Sequence, residues 1–64
     1  MNNIYFTVSK AQAKSNMDDF LDSAFKYGVE FRMQPLETDY VKVELTGTYL
    51  SKLSVLSSIL QRVD

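Results

Sequence analysis

The chain contains no cysteine and no histidine, and only two glycines and one proline. Without cysteine there is no disulfide framework, and with histidine also missing the usual zinc and iron ligand sets cannot be assembled. The same two absences remove the side chains that most often serve as general base or activated nucleophile near neutral pH. The serines have no credible base beside them, and two isolated glycines do not build a phosphate-cradling loop. A non-catalytic protein with no cofactor and no metal is therefore expected. Charge of one sign is not in excess either: the net charge is −1 and the pI about 5.2, which opposes broad attraction to phosphate. No apolar run approaches the length of a bilayer span, and MNNIYFTVSK lacks a basic stretch followed by a long apolar one. A cytoplasmic location is the expectation.

What is present is a chain of 64 residues, 45% of them hydrophobic. That length accommodates one domain, spanning 1–64, and a thin core that favours help from a second chain.

Residues 4–8, IYFTV, alternate, with Ile4, Phe6 and Val8 on one face and Tyr5 and Thr7 on the other. This is the pattern of a half-buried strand. Ser9 then stands at an N-cap position with Gln12 three residues on, a capping box in which each side chain satisfies the other residue's backbone N–H. Ala13, Met17, Phe20, Leu21 and Ala24 recur at spacings of three and four and predict an apolar helical stripe, closed by Lys26 and Gly28.

Two alternating segments follow, Val29, Phe31, Met33 and then Val41, Val43, Leu45, joined by QPLETD. They predict a hairpin whose proline marks a strand end. Two registers stay open, pairing Glu30 with Lys42 or Arg32 with Glu44. In YLSKLSVLSSILQRV, Tyr49, Leu53, Leu56, Leu60 and Val63 form one seam, while Val55 and Ile59 form a second and Leu50 flanks the first. A helix apolar on two sides is usually covered on two sides. The fold class expected is α+β: strand, helix, strand, strand, helix, a three-stranded antiparallel sheet with two helices.

Asp18 and Asp22 lie four apart on one helical face with Asp19 beside them. Carboxylates from a single helix lack the converging ligands of a hard-cation site, so the functional reading is an acidic docking patch for a protein. Tyr5 and Tyr40 supply aromatic contact area for the same purpose. Lys10 and Lys14, also four apart, fall in the first turns of the first helix, where anions are favoured. Dimerisation through the second helix is expected, on a seam of Leu53 and Leu56 or of Val55 and Ile59.

Q-A-K-S-N-M, residues 12–17, resembles the E-A-R-x-N-L stretch in the first helix of the Phd/YefM antitoxins, with Lys14 at the arginine position. VKVELTGTYLSKL is similar to that family's third strand and following helix start, with Tyr49 and Leu53 near its tyrosine and leucine. The resemblance covers the layout of residues 4–60. It implies a homodimer that binds operator DNA with Lys14 and Lys10 on phosphates, and blocks a toxin through a segment C-terminal to the domain.

Two readings follow. The first is an inhibitor, of the type phages and mobile elements encode, that binds and blocks a host or defence protein through Asp18, Asp19, Asp22, Tyr5 and Tyr40. The alternative is an antitoxin-like dimeric DNA-binding repressor using Lys10 and Lys14.

Overall fold

A computed structural model describes residues 1–63; Asp64, the last residue of the expected domain, lies outside them. The elements run β1 (Asn2–Ser9), α1 (Lys10–Tyr27), β2 (Glu30–Pro35), β3 (Tyr40–Gly47) and α2 (Leu50–Leu60). The three strands form one antiparallel sheet in the order β1-β3-β2, so the last strand in sequence is the central one. The molecule is the small α+β unit that the patterning predicts.

The α1 boundaries follow from local chemistry. Ser9 Oγ accepts the Gln12 backbone N–H at 3.1 Å. Gln12 does not return the bond to the Ser9 backbone as the capping box predicts; its Oε1 accepts the Ser9 hydroxyl at 3.2 Å instead. Ser9 is still part of β1, opposite Tyr40, so its extended backbone is committed to the sheet. At the other end Gly28 takes φ 68°, and Gly28 N–H and Val29 N–H reach back to the Phe25 and Ala24 carbonyls at 3.3 and 3.0 Å. This is a Schellman closure, with Val29 delivered into the core beside Ala24.

Register is settled by the hairpin. Arg32 stands opposite Glu44, Glu30 opposite Thr46 and Gln34 opposite Lys42. Pro35 is the last residue of β2, and Leu36 N–H bonds to the Tyr40 carbonyl across the turn at 3.0 Å. The Lys10 N–H bonds to the Asp39 carbonyl at 2.8 Å, which ties the connection to the start of α1.

Both helices lie on the face carrying Ile4, Phe6, Val8, Val41, Val43 and Leu45. α2 packs over β1 and β3, while α1 packs along α2 and against β1 and β3. The centre of the core is Phe20, Val43, Leu45, Leu53, Leu56 and Leu60, all removed from solvent. Burial of each such leucine contributes roughly 1.5–3 kcal/mol.

Two expectations are corrected here. Leu53 and Leu56 are 0% exposed within a single chain, so they belong to its core and do not form a seam between chains. The sheet occupies the side of α2 that they project from, as three-and-four spacing requires for one helix on one sheet. Tyr49 and Val63, which extend the same seam in sequence, lie outside the helix and are exposed. Leu21 is not in the buried stripe of α1: the buried positions are Ala13, Asn16, Phe20 and Ala24, and Leu21 turns outward. Asn16 therefore takes an inward place that the apolar pattern does not register.

Candidate functional site

The outward side of α1 holds the largest aromatic exposure in the fold. Phe20 and Ala24 point into the core, and the next residue after each, rotated about 100° around the helix, points along the flank that faces β2. Those residues are Leu21, 43% exposed, and Phe25, 91% exposed. Two helices do not cover three strands, and β2 is the one left bare. Phe31 is 37% exposed although its ring meets Phe20 edge-on at 5.1 Å, Met33 is half-buried and Pro35 is exposed. Beside them runs an apolar groove of about 380 Å³, floored by Ala13, Met17, Met33, Pro35 and Val41 and rimmed by Lys10 and Lys14.

Charge along this flank is graded. Lys10 and Lys14 border the groove near the N-terminus of α1, and Asp18 and Asp22 are exposed further along the same helix, near Leu21 and Phe25 in sequence. Asp19 is rotated away from them: its carboxylate accepts from the Arg62 guanidinium at 3.2 Å, past the end of α2. Both partners are more than half exposed, so this pair is worth at most a fraction of 1 kcal/mol. Among the described residues no group of three or more acidic side chains converges as a cation site would require. The aspartates thus divide into Asp18 and Asp22, which among the described residues have no ion-pair partner, and Asp19, which is held by its own chain.

Tyr5 and Tyr40 lie elsewhere. Their positions alternate with the buried ones of β1 and β3, so both belong to the sheet face opposite the helices. On that face Glu44 accepts from Asn3 Nδ2 at 2.8 Å and from the Tyr5 hydroxyl at 3.1 Å, and Asn3 also donates to Thr46 Oγ1 at 2.8 Å. The Lys42 ammonium lies 5.2 Å from the centre of the Tyr5 ring. The hydrogen bond from Asn3, then that from Tyr5, holds the Glu44 carboxyl below its ordinary value; the bond to Glu44 and its negative charge raise the Tyr5 phenol above its own. These groups satisfy one another on an exposed surface. The five residues expected to form one docking site are therefore split between two sides of the molecule.

Of the residues expected on α2, Val55 is 45% exposed and Ile59 half-buried, and both border a shallow depression with Ser54, Ser58 and Arg62. Phe25 is the functional candidate that sequence reasoning missed. Its signal is positional: it lies five residues after Phe20, about 140° around the helix from the buried stripe, where a solvated helix normally carries a polar residue. The exposure of β2 has no comparable signal in its own alternating sequence. No protein family, curated protein or solved structure matches this chain.

Proposed function

We propose that this protein is a non-catalytic inhibitor or regulator that binds another protein by seating one of its segments against α1 and β2. The observation that carries the reading is Phe25, 91% exposed on α1 one turn after the exposed Leu21, on the helix whose N-terminal half borders the groove. Aromatic side chains offer large contact area at little entropic cost, and an exposed apolar patch rimmed by charge is the usual form of a docking surface. The grading of charge defines the occupant: an amphipathic segment whose apolar row fills the groove, with acidic residues toward Lys10 and Lys14 and basic residues toward Asp18 and Asp22.

The test compares capture from lysate by the wild-type chain, Phe25→Ala and Tyr5→Ala, quantified side by side. A protein held by the wild type and by Tyr5→Ala but lost with Phe25→Ala supports the reading. Equal retention by Phe25→Ala of everything the wild type holds overturns it.

A second reading, an antitoxin-like repressor, is favoured by one observation: Lys10 and Lys14 are exposed, and among the described residues neither is in an ion pair. Under it a mixed-sequence DNA duplex binds at low salt, and binding weakens with added salt and with Lys14→Gln. Absence of binding at low salt removes it.

A further inference from the structure

The two edges of the sheet are not equally protected. β2 carries Glu30 and Arg32, ends in Pro35 and is six residues long. Charge, proline and short length are the devices by which edge strands avoid pairing with another chain. β1 has none of them: its eight residues, NNIYFTVS, include no charged residue, no proline and no glycine. Its pairing with β3 is continuous from Asn2 opposite Gly47 to Ser9 opposite Tyr40, without a bulge to twist the free edge away.

The helix layer above this edge is uncharged as well. Lys52 is the only charged residue of α2, and its ammonium lies 5.4 Å from the Tyr27 ring of α1, so that side of α2 faces α1. Ser54 follows two positions later, about 200° around the helix, and with Leu50, Ser57 and Gln61 it occupies the opposite flank, over β1. Charged residues make up 23% of the chain, yet β1 has none and α2 has only Lys52, on the other flank; Arg62, which borders the same depression as Ser54, is paired with Asp19.

We infer that the free edge of β1 pairs antiparallel with β1 of a second copy, extending two three-stranded sheets into one of six strands. Self-pairing is the solution an uncharged flank permits: a two-fold axis sets each residue near its own copy's neighbours, and here no like charges meet. Residues directly opposite in an antiparallel pair share a face, so the axis passes through Tyr5 or Phe6. With the axis at Phe6, Ile4 meets Val8 of the other copy and the inner row of β1 is continued across the seam. The axis also brings the Leu50 and Ser54 flanks of the two α2 helices toward each other above the joined strands. The α1–β2 grooves are left at the two outer ends of the assembly, both open.

The experiment is sedimentation equilibrium of the whole chain over a range of concentrations, with four variants. Thr7→Glu places a charge on the β1 edge opposite Lys42 of its own chain, and Ser54→Glu places one on the exposed flank of α2. Gln34→Lys does the same to the β2 edge, and Val55→Glu to the outer face of α2. The wild type is expected at twice 7.3 kDa. Thr7→Glu and Ser54→Glu are each expected to weaken the dimer at least tenfold, while Gln34→Lys and Val55→Glu leave it unchanged. Circular dichroism of each variant establishes that a lost dimer is not a lost fold. A wild type that stays monomeric overturns the inference, as does a dimer that survives Thr7→Glu and Ser54→Glu or is broken by Val55→Glu alone.

Discussion

The Asn16 side chain holds the end of α2: its Nδ2 donates to the Leu60 carbonyl at 3.2 Å and to the Arg62 carbonyl at 3.0 Å. The last carbonyls of a helix have no partner within it, and Asn16, only 5% exposed on α1, supplies one from the neighbouring element. One amide thereby joins α1 to the end of α2, whose last turn has no basic residue of its own.

Asn16→Ala removes that buried donor from the Leu60 and Arg62 carbonyls. A loss of about 1–3 kcal/mol is expected, read from the urea midpoint with the slope unchanged. A loss below ~0.5 kcal/mol makes the bond incidental.

The division of α2 into a core side and an outer side gives a paired prediction. Leu56→Ala opens a cavity under the helix and is expected to cost about 2–5 kcal/mol. Val55→Ala, one residue earlier on the exposed side, is expected within about 0.5 kcal/mol of the wild type. Equal effects at the two positions refute the assignment of Leu56 to the core of a single chain.

Gly28→Ala tests backbone conformation apart from packing. A Cβ there meets no atom within 4 Å, so any cost comes from holding an alanine at φ 68°. That cost is roughly 1–2 kcal/mol. Thermal unfolding that leaves the midpoint unmoved places the α1 terminus outside the cooperative unit.

The Glu44 and Tyr5 pair predicts opposite pH responses. The Glu44 carboxyl titrates below its ordinary value in the folded chain, so its contribution is present above the unfolded pKa and is lost as pH falls through the folded one. The Tyr5 phenol titrates above the ordinary tyrosine value of about 10. Its contribution is present below that value and is lost as pH rises through the folded pKa. In Tyr5→Phe the Glu44 carboxyl is expected to move part of the way back, since the stronger bond from Asn3 remains. Carboxyl chemical shifts followed through an acid titration measure the change, and an unmoved Glu44 shows that the phenol does not hold it.

The elements of this fold were legible because each is signalled within a few residues. Ile4, Phe6 and Val8 alternate, Ser9 and Gln12 mark a helix start, Gly28 marks its end, and Val41, Val43 and Leu45 alternate again. Strand and helix periods are properties of the local backbone, so short windows report them. The candidate site is half legible: three-and-four spacing gives Asp18 and Asp22 as exposed, but it puts Leu21 inside and does not single out Phe25. A helical stripe defines an apolar side without fixing how wide the cover over it is, and that width depends on which strands lie beneath.

By itself the sequence determined the order of strands and helices, the faces of β1 and β3, and the absence of thiol and imidazole chemistry. Only the tertiary structure decided that β3 is central, that Arg32 faces Glu44, and that Leu53 and Leu56 are spent within one chain while Phe25 is not. The physical reason is the range of the interactions. Periodicity and capping act over a few residues, whereas coverage depends on two helices sharing three strands, and contacts between residues as distant as Asn16 and Leu60 settle which side chains remain for a partner.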